Sequence, residues 1–115
     1  MIVYSDTISL STKGFGDTVD ITAAVEKIYE KSGFVNGLVM VFCQGATGTI
    51  TTIEFESGVI QDLKKALEAI APADVLYEHD RAWGDGNRFS HVRAALMKAS
   101  LSIPVVQGSM TLGTW

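Results

Sequence analysis

Apolar residues recur every three or four positions in several stretches of the chain, and this spacing predicts helices. The first helix follows Asp20, a residue type that caps helices, and ends at Gly33. The second covers residues 58–70, with Ser57 as its N-cap. A shorter helix begins at Ser90, its predicted cap, in the sequence SHVRAALMKA.

Stretches rich in β-branched residues, separated by glycine-containing turns, predict strands. Pro104 lies inside one of them and restricts it to a sheet edge or a bulge, because proline has no N–H to donate. The predicted strands are residues 2–12, 37–44, 47–56, 74–80, 100–106 and 110–115. The last two are joined by the turn QGS and form a closing hairpin.

The predicted elements follow one another as β-α-β-β-α-β-α-β-β, with hairpins mixed among the helices. This order favours an α+β fold, a single mainly antiparallel sheet with helices packed on one face. The chain has 115 residues, of which 47% are hydrophobic, which is enough for one core. We therefore expect a single domain over residues 1–115.

Composition and charge exclude several classes of partner. Nine basic residues against thirteen acidic ones give a net charge of −4, which argues against nucleic acid. The longest nearly apolar run, GLVMVFC, is far shorter than a membrane span, and the N-terminus lacks the pattern of a signal peptide. Cys43 is the only cysteine, so an internal disulfide is excluded, and we interpret it as a buried structural thiol. These features predict a cytoplasmic protein.

Both histidines lie in the segment HDRAWGDGNRFSH, residues 79–91. His79 ends a predicted strand, Asp85 and Asn87 follow in a glycine-flanked loop, and His91 lies near a helix N-terminus. Imidazole and carboxylate groups suit acid–base chemistry or a divalent metal, although the spacing matches no strong metal motif. The alternative is that Asp85 and Asn87 only form a turn and that His91 is a solvated helix residue.

Three other features have both a functional and a structural interpretation. The segment QGATGTIT, residues 44–51, could cradle a phosphate through backbone N–H groups or be a glycine hairpin. Glu54 and Glu56 share one face of a predicted strand, as a carboxylate pair or as a solvated surface. Trp83 and Trp115 could stack on a planar ligand or pack against another subunit.

Several segments together resemble the YjbQ family, described as the secondary thiamine-phosphate synthase enzyme family. They are NGLVMVFCQGATGTITTIEFE, HDRAWGDGN followed by SH, and SLSIPVVQGSMTLGTW, and the match is collinear from about Ser11 to Trp115. The resemblance implies an α+β single-sheet fold, usually assembled as a homotrimer. It also implies weak thiamine-phosphate synthase chemistry, in which a thiazole phosphate displaces the pyrophosphate of a hydroxymethylpyrimidine, and metal binding by the family's histidines.

The resemblance can be carried over position by position. His79 matches the histidine that ends the strand before the loop, Asp85 and Asn87 match an Asp-Gly-Asn triplet, and Ser90-His91 matches the end of a Gly-His-Ser-His element. Two of the four clustered histidines implied by the family pattern are replaced here. The replacements are Phe89 and Gly45, whereas the neighbouring Thr47 is retained. Members commonly continue past the Gly-Thr-Trp with a further strand, so this is either a short member or part of a longer chain.

Two functions are consistent with these residues. The first is an enzyme that binds a phosphorylated small molecule in a pocket between subunits. His91 would be its acid or base, or would hold Zn²⁺ or Mn²⁺ together with His79. Asp85 and Asn87 would orient the ligand or a cation. Ser90, the helix N-terminus and Thr47 would bind the phosphate, with help from Arg88 or Arg93. The catalytic candidates are thus His91, His79 and Asp85, and the ligand- or phosphate-binding candidates are Asn87, Ser90, Thr47 and Arg88.

The second function is a non-catalytic ligand- or metal-binding homotrimer that has lost part of the histidine cluster. Its evidence is the pair of replacements at Gly45 and Phe89. Two imidazoles with flanking carboxylates would bind a metal more weakly than four imidazoles. Phe89 would make the pocket drier and more apolar.

Overall fold

The computed structural model describes residues 1–75, 77–78 and 86–113. Its helices and strands confirm the α+β fold predicted from the sequence. In chain order they are α1 (Thr22–Ser32), β1 (Gly37–Phe42), α2 (Ser57–Ile70), α3 (Arg88–Met97), β2 (Ser100–Val106) and β3 (Ser109–Met110). In the part of the chain that is described, the strands form a three-stranded sheet in the order β1-β2-β3.

The ends of α1 follow from local hydrogen bonds. The helix starts one residue later than expected, with Ile21 in the N-cap position, yet the carboxylate of Asp20 still accepts a hydrogen bond from Thr22 N at 2.9 Å. A hydrogen bond from the Thr22 side chain, together with this backbone bond, lowers the pKa of Asp20. Gly33 ends the helix as predicted, at a left-handed φ of 74°, and its N–H donates to Glu30 O. Val25 and Tyr29 are the buried side chains of α1.

The N-cap of α2 is Glu56 rather than the expected Ser57, which is the first residue of the helix. The Glu56 carboxylate accepts hydrogen bonds from Gly58 N at 2.8 Å and Val59 N at 3.0 Å. These two bonds lower the pKa of Glu56, because they stabilise its charged form. They also assign its carboxylate to capping, which argues against a catalytic carboxylate pair with Glu54.

Replacing Glu56 with alanine should lower the melting temperature at neutral pH, because two amides of α2 lose their acceptor. The folded-state pKa of Glu56 is depressed, so its contribution is present above the ordinary glutamate pKa and is lost as the pH falls through the lowered value. The melting temperatures of wild type and variant should therefore converge on acidification, as measured by circular dichroism. Glu26→Ala, which removes an exposed carboxylate of α1, controls for net charge. A difference that persists at acid pH would contradict the capping role.

The hairpin of β2 and β3 is present where the sequence predicts it, but its second strand is shorter and starts earlier: Ser109–Met110 instead of residues 110–115, with no strand over residues 111–113. The strands are antiparallel, with Val105 opposite Met110 and Val106 opposite Ser109. Gln107 and Gly108 form the two-residue turn, and both have positive φ angles, 49° and 82°. Positive φ at both central positions is the type I′ geometry that matches the twist of the flanking strands.

Three predicted strands are not observed as strands. Residues 2–12 and 47–56 have no assigned strand, and the described residues of 74–80 have none either. Ile2 and Val3 are 80% and 72% exposed. β-Branched composition favours a strand only where a neighbouring strand and a buried face are present, and these segments have no such ladder among the residues described.

The chain divides into two compact units. The first comprises Met1–Met40 and Ser102–Trp115, and its buried apolar residues include Val25, Tyr29, Ile103 and Val105. The second comprises Val41–Leu101 and contains α2 and α3. Its buried side chains include Ala71, Arg88 and Phe89. The predicted site residues that the structure describes all belong to this second unit.

Candidate functional site

The candidate site is the first turn of α3. Gly86 has a left-handed φ of 75°, and the helix then starts with Asn87 in the N-cap position. The expectation that Ser90 caps this helix is therefore wrong, because the helix begins two residues earlier and Ser90 lies inside its first turn. The Asn87 side chain makes no capping hydrogen bond, while its carbonyl accepts from Ser90 N at 2.9 Å.

The helix brings together four of the predicted site residues. Asn87, Ser90 and His91 are spaced by three and four positions, so they share one face of α3, and all three are half-buried. Arg88 is buried, with 4% of its surface exposed. A helix N-terminus carries partial positive charge from its backbone amides, and Arg88 is the first residue of this helix. This arrangement suits an anion such as a phosphate.

Arg93 has a role that the sequence did not reveal. Its Nε donates to Ala71 O at 3.0 Å, and its Nη2 forms an ion pair with Glu68 Oε2 at 2.8 Å. Its guanidinium carbon also lies 4.9 Å from the centroid of the Phe89 ring. The guanidinium thus contacts the C-terminal end of α2, which argues against Arg93 as a phosphate ligand.

Thr47 lies in an exposed bend after β1, and no hydrogen bond joins it to the described residues of α3. The segment around it is anchored where α3 ends, because Cys43 N donates to Ala99 O and Ile50 N donates to Lys98 O. Lys98 is the C-cap of α3, eight residues and about 12 Å along the helix axis from Ser90, at 1.5 Å per residue. Both ends of the segment that contains Thr47 are thus bonded near the C-terminal end of α3, and the role of Thr47 in the site stays a prediction. Cys43, predicted to be buried, is only half-buried.

Several predicted residues lie outside the described part of the chain. His79 and Asp85 are among them, and so are Trp83 and Trp115. Within residues 1–75, 77–78 and 86–113, no group of three or more potential metal ligands is found. Of the two histidines predicted to bind a metal, only His91 is described, so metal binding stays a prediction.

Comparisons with known proteins give a consistent result. The family described as UPF0047 protein YjbQ-like matches residues 6–115. A UPF0047 protein of Methanothermobacter thermautotrophicus is 39% identical over 115 residues, which cover 100% of this chain and 79% of the relative. Another, from Archaeoglobus fulgidus, is 33% identical and matches 94% of this chain and 82% of its own length.

Solved structures agree with these relatives. A YjbQ/UPF0047 family protein of Clostridium acetobutylicum has a TM-score of 0.80 at 32% identity, covering 91% of this chain and 80% of that one. A protein of Sulfolobus solfataricus has a TM-score of 0.79 at 33% identity, covering 84% and 69%. In addition, none of the helices in the described residues has both the length and the apolar character needed to cross a membrane.

Proposed function

Because the chain belongs to the YjbQ family, we propose that it binds a phosphorylated small molecule at the first turn of α3 and has weak thiamine-phosphate synthase-type activity there. The observation that carries this proposal is the half-buried face formed by Asn87, Ser90 and His91, with the buried Arg88 beside it. The proposed setting is the cytoplasm, in agreement with the unpaired Cys43.

The proposed reaction places specific demands on these residues. A ring nitrogen of the thiazole phosphate forms a C–N bond to the pyrimidine methylene carbon, the C–O bond breaks, and pyrophosphate leaves. Arg88, Ser90 and the amides at the start of α3 would stabilise the departing charge. His91 would donate a proton to the leaving pyrophosphate. Asp85 and Asn87 would orient the ligand. Thr47 would bind the phosphate from the bend after β1.

A pocket between subunits of a homotrimer is part of the same proposal. Its support is the face of β1 formed by Leu38, Met40 and Phe42, which are 64%, 67% and 62% exposed. These residues alternate along one strand, so their side chains point to the same side. Exposed apolar surface of this kind commonly marks an interface between subunits. Sedimentation equilibrium should then give a mass three times the 12.4 kDa of one chain.

A divalent metal, Zn²⁺ or Mn²⁺, held by His79 and His91 would supply Lewis-acid stabilisation to the phosphate oxygens. Elemental analysis of protein purified without an affinity tag tests this. Stoichiometric metal that disappears in both His79→Ala and His91→Ala supports the site. Absence of metal from protein purified and dialysed in the presence of each ion contradicts it.

The second candidate is a non-catalytic ligand- or metal-binding homotrimer. The observation that favours it is the burial of Phe89, which is 4% exposed and lies beside Arg93. At this position the resemblance to the family implies a histidine. The phenylalanine present here packs against the Arg93 guanidinium and offers no proton donor or metal ligand.

Replacing His91 with alanine should reduce formation of thiamine phosphate by about 100-fold or more, the usual effect of losing a general acid. The melting temperature should change little, because the side chain is only half-buried. The assay follows thiamine phosphate and released pyrophosphate from hydroxymethylpyrimidine diphosphate and thiazole phosphate. Val92→Ala, a neighbouring exposed position on α3, is the matched control.

Each outcome of this assay separates the candidates. Activity retained in His91→Ala would exclude His91 as the acid. A wild-type protein without activity that is still stabilised by thiamine precursors would support the non-catalytic binding protein. Absence of both activity and stabilisation would contradict the enzyme proposal.

A further inference from the structure

We infer that Arg93 is a positioning residue that fixes the first turn of α3, and with it His91, against the C-terminal end of α2. Its importance for ligand binding rests on the function proposed above. Arg93 itself has no place on the face that would meet the ligand. It would act through the orientation of the helix that carries this face.

Three contacts converge on the Arg93 guanidinium, as described above, from Ala71 O, Glu68 and the Phe89 ring. The arginine side chain is only 14% exposed, so water screens these interactions less than it would on an open surface. Arginine suits this position because its planar fork can donate in two directions while its face lies on an aromatic ring.

The contacts also complete the C-terminal end of α2. Ala71 is the C-cap of that helix and is 1% exposed, so its carbonyl oxygen needs a donor inside the protein. Arg93 is that donor, and its positive charge lies at the negative end of the helix dipole. Glu68 strengthens the connection, because its second oxygen accepts from Ala73 N at 3.2 Å.

The geometry of α3 connects this contact to the candidate site. Successive residues of an α-helix are rotated by about 100°. Phe89 and Arg93 therefore lie on nearly the same side of α3, and His91 lies about 180° away, on the face that it shares with Asn87 and Ser90. Holding Arg93 against α2, with the Phe89 ring beneath its guanidinium, sets the rotation of α3, and this rotation decides where His91 and its neighbours point.

The test compares Arg93→Met with Lys65→Met, which removes the same charge from an exposed position of α2. Two readouts are used: the dissociation constant for inorganic pyrophosphate, from calorimetry, and the imidazole NMR signals of His91, assigned with a His79→Gln variant. Lys65→Met should behave as wild type. Arg93→Met should bind pyrophosphate about 5-fold more weakly or worse, the range of ordinary coupling between sites, and its His91 signals should shift.

The conservative variant Arg93→Lys covers the case in which Arg93→Met does not fold. Lysine keeps the charge but cannot donate to Ala71 O and Glu68 in the same fork, so it should shift the His91 signals in the same direction. Unchanged His91 signals and unchanged pyrophosphate affinity in a folded Arg93 variant would overturn the inference. If wild type does not bind pyrophosphate, the proposed function fails, and the His91 signals still decide whether Arg93 positions this turn.

Discussion

Phe89→Ala is expected to lower the free energy of unfolding by about 3–5 kcal/mol, the usual cost of removing a buried phenylalanine ring. Phe89 is 4% exposed, and its ring lies under the Arg93 guanidinium, so the variant loses both packing and a cation–π contact. Domains of this size are stable by only about 5–15 kcal/mol, so a loss of this size is a large fraction of the total stability. Urea denaturation followed by circular dichroism measures the change.

Phe55→Ala is the matched control for this prediction, because it removes the same side chain from a position that is 48% exposed. It should cost much less than the variant at Phe89. A third variant, Phe89→Leu, keeps most of the buried volume and removes the ring beneath Arg93. Its loss of unfolding free energy should lie between those of Phe89→Ala and Phe55→Ala. Equal losses for Phe89→Ala and Phe55→Ala would show that Phe89 does not contribute to the core of the second unit.

The elements that could be predicted from the sequence are those decided by local chemistry. Apolar residues at every third or fourth position predict α1, and Gly33 predicts its end. An uninterrupted apolar run predicts β1. The QGS turn between two apolar stretches predicted the β2–β3 hairpin, and in the structure its Gln107 and Gly108 form the turn with positive φ at both positions. In each case the information lies within a few residues.

The predictions from the sequence are wrong at two kinds of position. In one, a residue type takes a role that it rarely has; in the other, the structure depends on a partner that lies far away in the chain. Glutamate is not a preferred N-cap, so Ser57 was the natural choice over Glu56. Lys98 has φ 74° and ψ 155°, a conformation that only glycine adopts easily, and nothing in the sequence marks this position. The strand predicted over residues 2–12 fails because strand propensity does not supply a pairing partner.

In the candidate site, too, the features decided by neighbouring residues could be predicted, and a contact between distant residues could not. The sequence placed Asn87, Ser90 and His91 near a helix start, and the structure has them on one face of α3, although with a different cap. The bond between Arg93 and Ala71 spans 22 residues and has no local signature. His79 and Asp85 lie outside the described residues, so their part in the site stays a prediction.

Gly48→Ala is expected to lower the free energy of unfolding by about 1–3 kcal/mol, the usual cost of forcing an extra carbon into a packed position. A Cβ at Gly48 would lie well inside van der Waals contact with the Sγ of Cys43. The backbone of Gly48 has no positive φ, so alanine is acceptable there except for this collision. Relief must come from a shift of Cys43, whose N–H is bonded to Ala99 O at 2.8 Å.

A double-mutant cycle isolates that collision, because Cys43→Ala removes the sulfur atom. The loss caused by Gly48→Ala should largely disappear in the Cys43→Ala background, which gives a coupling energy of about 1–3 kcal/mol between the two positions. Gly37→Ala is the matched control, since a Cβ at Gly37 meets no atom within 4 Å. If Gly48→Ala is neutral, the Cys43 side chain rotates away at no cost, and the turn after β1 is less closely packed than the structure indicates. If Gly48→Ala lowers the free energy of unfolding by the same amount in the Cys43→Ala background, the constraint lies in the backbone of the turn instead.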